Sequence, residues 1–383
     1  MMSSPNRQPD QLDPPAIRVC LIQAYRAPLY IRGVSLKTAL TSSASVSLSL
    51  AMNHSAGIRR YREAIRGLLR IRRELDPEIY ILAFRGHEIA WLVRRLTRGR
   101  SFVFDAMMSP YAALEEERKF DLPGARLLAK LWRPFERSAL TRADAVLTDT
   151  ELHSEYLQSR FRIPAEKIIV VPVGAVEPPH NLLPSQAPGN VSLRVLFYGS
   201  FLPLHGIDVV LDAADMLRDL PVFFDFIGGS AKDARKLAAR MSGPGTTRYS
   251  HRAWVPFDDL LETEIPAADL CLGGPFGDTP QSRRVITGKT HQFLASGKAT
   301  VIGIINEDCG FVHKANCLLV EQGNAVALAD AIRWAHENRG LLPSIGAAGR
   351  RLHEERYSSS VIGARLVEAL SHLARPRDLR GCA

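Results

Sequence analysis

Short apolar runs alternate with amphipathic stretches along almost the whole chain. Residues 17–22, 46–52, 79–84, 101–105, 145–148 and 168–172 are brief and mostly apolar, the pattern of strands covered on both faces. Helical spacing fills the gaps, over 35–42, 58–75, 87–96, 125–140 and 151–160. The second half repeats the scheme. Strands are predicted over 194–198, 222–227, 251–255, 270–272, 300–305 and 318–320, and helices over 207–217, 233–241, 258–264, 289–296, 325–337 and 362–373. The prolines at 178, 179, 184 and 188 mark 177–192 as a linker between the two series. Strand–helix–strand crossovers demand parallel pairing. The predicted fold class is therefore α/β, with two Rossmann-like domains facing a cleft. The first covers 16–176 after a polar, proline-containing leader (1–15). The second covers 193–360, and a C-terminal helix with a basic tail (361–383) closes the chain.

Composition narrows the function classes. No run of about 18 apolar residues is present, so no helical membrane span is predicted. Cys20, Cys271, Cys309, Cys317 and Cys382 are odd in number and lack Cys-x-x-Cys spacing, which points to neither a disulfide framework nor a zinc site and fits a reducing cytoplasm. The net charge of +9 lies wholly before residue 177, where 27 Lys and Arg face 18 Asp and Glu. Residues 58–100 carry 12 basic against 5 acidic residues. Helix 58–75 places Ile58, Tyr61, Ile65, Leu68, Leu69 and Leu75 on or near one face, with arginines around the remainder. Two readings stay open: a packed helix with a solvated arginine face, or a helix lying on an anionic membrane surface. Without interleaved aromatics the basic segment is not read as a nucleic-acid site.

Chemistry concentrates at strand ends. Residues 269–305 read as strand, long loop, helix and strand, and the loop brings Arg283, Arg284 and Lys289 to a predicted helix start, where free N–H groups already favour an anion. A phosphate is the simplest guest. The loop from Gly199 to Gly206 also follows a strand and opens a helix, and Gly228-Gly229 repeats the device one strand later. Asp105 closes a strand at its carboxyl end, where ligands of open α/β sheets bind, although an aspartate there also caps turns. The first strand–helix loop has Gly33 alone in place of a Gly-x-Gly-x-x-Gly fingerprint, which disfavours a dinucleotide-dependent dehydrogenase. No Asp-x-Asp occurs to hold Mg²⁺ on a diphosphate, so Lys, Arg and helix ends would meet the charge of a leaving phosphate.

Four stretches carry a family resemblance: residues 143–150, 167–174, 195–214 with their Gly-Ser-Phe-Leu-Pro-Leu-His-Gly, and 268–305. Through them the chain resembles the bacterial group 1, family 4 glycosyltransferases of the GT-B fold. The resemblance implies a retaining, metal-independent transferase without cofactor, binding a nucleotide-sugar donor in the second domain and an acceptor in the first. It implies a diphosphate near Gly199 and Ser200, a nucleobase beside the segment from Trp254 to Phe257, and phosphates and ribose facing the helix that opens at Lys289. The chain departs from the family pattern at Ser200 and His205, where relatives carry Arg and Lys, at Arg284 and Gln292, where they carry a glutamate pair, and at Asp105, often a histidine. Arg284 and Lys289 are the natural replacements for the missing cations, and Gln292 can still hydrogen-bond a ribose hydroxyl.

The reading is a transferase moving a hexose-type sugar to a glycan, lipid-linked or small-molecule acceptor. Asp105, Lys289 and Arg284 are its catalytic candidates, and Gly199, Ser200, His205, Trp254, Val255 and Gln292 its donor-binding ones. The expected location is cytoplasmic, with the inner membrane face as a peripheral site. The rival is a GT-B module that binds a nucleotide or a protein partner without transfer.

Overall fold

The computed structural model describes residues 16–25, 30–115, 125–178, 192–241 and 248–374, except the side chains of 125 and 126. The leader and most of the predicted linker and basic tail lie outside these residues.

The first sheet is built from β1 (Ile17–Gln23), β2 (Val46–Met52), β3 (Ile79–Leu82), β4 (Ser101–Asp105), β5 (Ala145–Thr148) and β6 (Ile168–Val170), in the order β2-β1-β3-β4-β5-β6. The second is built from β7 (Leu193–Gly199), β8 (Val222–Gly228), β9 (Arg248–Arg252), β10 (Leu270–Leu272), β11 (Thr300–Gly303) and β12 (Leu318–Val320), in the order β12-β11-β10-β7-β8-β9. Every pairing is parallel. Helices cover both faces, and for that reason β3, β4 and β5 are buried at every residue.

Three expectations change. The strand predicted over 251–255 is β9, three residues earlier, an edge strand whose only pairing is with β8. Its polar sequence, Arg-Tyr-Ser-His-Arg, suits an edge, and the more apolar Trp254-Val255 belongs to the turn beyond. The helix Leu342–Arg356, which carries Gly346 and Gly349, was not predicted. Both glycines are contact points: a Cβ on Gly346 would stand 2.1 Å from the Gly297 carbonyl oxygen, and one on Gly349 2.8 Å from that of Asn316.

The third concerns the end of the chain. The helix Ser359–Ser371 is no appendage; it returns to the first domain, where Ile362, Leu366 and Leu370 join Val19, Leu21 and Leu36 in one core. Ser101 donates a hydrogen bond to the Leu373 carbonyl at 2.5 Å. The two domains are thus tied by the Val173–Val176 connection and by this returning helix.

The arginine-rich helix Arg59–Glu74 packs through Ala64, Leu68 and Ile71, with Tyr61 and Ile65 at the margin. Ile58, Leu69 and Leu75, expected on the same face, are exposed. The basic segment is partly neutralised by Arg60–Glu88, Arg94–Asp144 and Arg100–Asp76 ion pairs. Among the described residues no helix is long and apolar enough to cross a membrane.

Candidate functional site

Each sheet reverses its order once, between β1 and β3 in the first and between β7 and β10 in the second. The crevice outside such a reversal, at the carboxyl ends of the strands, is where open parallel sheets bind ligands. Here the two crevices face each other. Tyr25 beyond β1 and Phe84-Arg85 beyond β3 line one wall of a cavity of about 700 Å³, and Gly199-Ser200 beyond β7 line the other with Thr287, Gly288 and Lys289.

The second-domain wall is built from the ends of β7 and β10. Thr287 caps the helix Gly288–Ala295: its Oγ1 accepts the Thr290 N–H and donates to the Gly273 carbonyl just after β10, at 2.7 Å. That anchors the helix start against the reversal point. The N–H groups of Gly288 and Lys289 lie in the first turn, beyond reach of any intrahelical acceptor. Gly199, at φ +144°, leaves room for the His205 ring, which a Cβ there would meet at 3.3 Å. Gly228 has a packing reason of its own, since its Cβ would fall 2.0 Å from the Gly199 carbonyl oxygen.

Lys289 is the unusual group of this wall. It is 5 % exposed, and its Nζ has no hydrogen-bond partner. Burial pulls its pKa down from 10.5 to about 7. A buried ammonium without a counter-ion costs free energy, and it marks a place where an anion is wanted.

Residues 4–174 match the glycosyl transferase 4-like domain family. Over most of its length the chain also superposes on GT-B structures. Sucrose-phosphate synthase from Thermosynechococcus elongatus aligns at TM-score 0.69 and 12% identity, over 93% of this chain and 98% of that one. A glycosyltransferase from Rickettsia africae aligns at 0.64 and 13%, over 94% and 98%. Anabaena HepE in complex with UDP and glucose aligns at 0.65 and 13%, over 93% and 100%. No curated protein matches the sequence. The family match covers the first domain, and the architecture of the two domains together is the GT-B fold of these structures.

Within this fold the sequence candidates separate. Gly199, Ser200, His205 and Lys289 meet on the cavity wall. Arg284 does not: its guanidinium stacks 4.0 Å above the Tyr156 ring of the other domain and lines a shallow neighbouring pocket with Glu115 and Arg160. Gln292 is withdrawn from the cavity, because its amide accepts the Val176 N–H at 3.0 Å and donates to the Val176 carbonyl at 2.8 Å. One N–H and one lone pair of the side chain hold the interdomain connection, and the buried amide is not among the cavity-lining residues. Trp254 is 75 % exposed and Val255 packs against the core cluster of Leu196, Leu260 and Ile265; neither lines the cavity, whereas Phe257 of the same segment does.

Asp105 is sealed. It and Arg32 are 0 % exposed; Arg32 Nε donates to both carboxylate oxygens at 3.1 and 3.2 Å, and the Phe84 N–H donates to Oδ2 at 3.1 Å. Arg32 Nη1 also reaches the carbonyls of Val171 and Pro172. This ion pair ties the ends of β3, β4 and β6 together and keeps Asp105 from any acceptor.

Sequence reasoning missed Asp149. It lines the cavity just past β5, and its Oδ1 lies 2.8 Å from His153 Nδ1, both residues being buried. It is the one carboxylate among the described residues that line the cavity. The strand-end rule that drew attention to Asp105 applies equally to Asp149, one strand over. The aromatic wall of Tyr25, Tyr30 and Phe84 was also missed, its members coming from two connections, after β1 and after β3, that are far apart in sequence. Among the described residues no group of three or more His, Cys, Asp or Glu is placed to hold a metal ion.

Proposed function

We propose that the protein is a retaining glycosyltransferase that moves a sugar from a nucleoside diphosphate to an acceptor in glycan, glycolipid or natural-product assembly, without a metal. The observation that carries this reading is Lys289, a buried, unpartnered amine beside a helix N-terminus on the cavity wall. HepE, solved with UDP-glucose, supports a nucleotide-sugar as the donor class.

In this reading the bond from the anomeric carbon to the diphosphate breaks, and a bond from the same carbon to an acceptor oxygen forms. Negative charge grows on the departing diphosphate, where Lys289 Nζ, the first-turn N–H groups and the Ser200 hydroxyl would meet it. These groups are fixed before the donor arrives and sit in a low-dielectric wall, where a charge–charge contact is strongest. Retention requires the acceptor hydroxyl to approach on the face the diphosphate leaves, so a phosphate oxygen is the nearest base for its proton. Asp149 is placed to accept a hydrogen bond from the acceptor. The expected location is the cytoplasm, consistent with the buried free thiols of Cys20, Cys271, Cys309 and Cys317, with the inner membrane face as a peripheral site.

A binding module without transfer is the second reading, favoured by the engagement of Arg284 and Gln292 elsewhere. Thermal-shift titration with UDP, GDP, ADP and dTDP, with and without EDTA, followed by mass spectrometry of reactions with the matching nucleotide-sugar, separates the two. A stabilising nucleotide insensitive to EDTA, with release of the nucleoside diphosphate and a glycosylated product, supports transfer; binding without turnover supports the module; no shift with any nucleotide rejects the transferase and favours a module that binds a protein partner.

A further inference from the structure

The two walls of the cavity differ in chemistry. The second-domain wall offers hydroxyls, helix N–H groups and Lys289, whereas the first-domain wall is dominated by Tyr25, Tyr30, Phe84, Met107, Met108 and Trp132. Tyr30 stacks on Phe84 with centroids 5.6 Å apart, and Tyr25 stands edge-on to both at 5.2 and 6.4 Å. A free sugar would want hydrogen-bond partners for its hydroxyls, and these rings and thioethers supply few.

Two further observations specify the guest. Leu128 and Trp132 line the cavity from the helix Ala125–Arg142, on which Leu127, Leu128 and Leu131 are 64 %, 48 % and 66 % exposed. The apolar wall therefore continues out of the cavity onto the protein surface, past Lys130 and Arg133 of the same helix. The same wall carries Arg85, whose guanidinium lies 5.2 Å from the Tyr25 ring centroid. No carboxylate lies within ion-pair distance of it among the described residues, whereas Arg60, which faces the same Tyr25 ring, is paired with Glu88. Arg85 also holds φ +60°, a conformation that a side chain adopts rarely and that keeps it at the cavity wall.

We infer that the acceptor is an anionic amphiphile. Its apolar chain lies along Met107, Met108 and Leu128 and leaves over the exposed leucines; its phosphate or carboxylate sits against Arg85, and the hydroxyl to be glycosylated faces the second-domain wall. This identification of the acceptor rests on the transferase reading above.

The test is calorimetric titration of the full-length protein with decyl phosphate below its micelle concentration, beside decyl glucoside and inorganic phosphate, with the nucleotide thermal shift measured on the same samples. Decyl phosphate is expected to bind, and Arg85→Gln to weaken it about tenfold. Leu128→Gln, at a half-exposed position that folding tolerates, is expected to weaken it about fourfold. Inorganic phosphate should neither bind in the same range nor displace the amphiphile. Equal binding of decyl glucoside, displacement by inorganic phosphate, or full affinity in both variants overturns the inference. If decyl phosphate fails to bind while a nucleoside diphosphate still stabilises the protein, the acceptor class falls and the donor reading stands. Binding of decyl phosphate without any nucleotide shift removes the transferase reading itself.

Discussion

Lys289 Nζ lies 3.9 Å from the centroid of the Phe197 ring, and that π face is the one electrostatic contact given to the amine by the described residues. A cation–π contact of this kind offsets only about 1–2 kcal/mol, less than burial of an ammonium costs. The site therefore holds a destabilised charge that an incoming phosphate relieves.

Replacing that amine should separate stability from function. Lys289→Met keeps the shape of the chain and removes the buried charge. Its melting temperature at pH 7 is expected to rise by about 2–4 °C, while the shift on adding a nucleoside diphosphate disappears. An unchanged nucleotide shift would remove Lys289 from the donor site.

The same residue sets a pH dependence with a definite sign. Its folded pKa of about 7 lies below the unfolded value of 10.5, so between these pH values the unfolded chain binds more protons. The contribution of Lys289 thus makes the protein more stable as pH rises through this window. Nucleotide binding should respond in the opposite direction, since the diphosphate needs the protonated amine. Affinity is expected to fall as pH rises above about 7, with proton uptake on binding visible as buffer-dependent heats in calorimetry. Heats that do not depend on the buffer would argue against it.

Asp105 predicts a loss of stability without loss of chemistry. Asp105→Asn leaves the Arg32 guanidinium buried without its counter-ion, and breaking a buried pair from one side typically costs about 3–5 kcal/mol. The melting temperature should drop by at least about 5 °C. The turnover number of the folded fraction should stay within about twofold. A large fall in turnover with an unchanged melting point would return Asp105 to the catalytic set.

Domain closure depends on a carboxylate that crosses the cleft. Glu307 accepts the N–H groups of Glu151 and Leu152 at 3.1 and 3.2 Å, at the start of the helix Glu151–Phe161. The Thr150 hydroxyl donates to the Arg284 carbonyl beside it. Glu307→Ala removes an anion from a helix N-terminus, worth about 1 kcal/mol in such positions, and should loosen the two domains. Small-angle scattering is expected to show a larger radius of gyration. An unaltered profile together with an unaltered melting point would show that the contact does not hold the domains.

Glycines and polar amides were where the sequence was hardest to read. Gly346 and Gly349 look like helix breakers until the carbonyls they press against are known. Gln292 lies at a position the family resemblance assigns to the donor, yet its amide is spent on Val176. Arg284 and Lys289 are five residues apart and read alike, but one stacks on Tyr156 and the other is buried in the cavity wall.

Local pattern by itself determined the strands and most helices, since a short apolar run covered on both faces can hardly be anything but a parallel strand, and the repeat of that pattern determined two domains and a cleft. It also led to the expectation that cations and helix ends line the cleft, and Lys289 and the start of its helix do so. The tertiary structure decided which side chains reach the cleft. That choice depends on the reversal point of each sheet, on the return of the last helix to the first domain, and on which buried charge finds a partner: Arg32 satisfies Asp105, and nothing in the described structure satisfies Lys289.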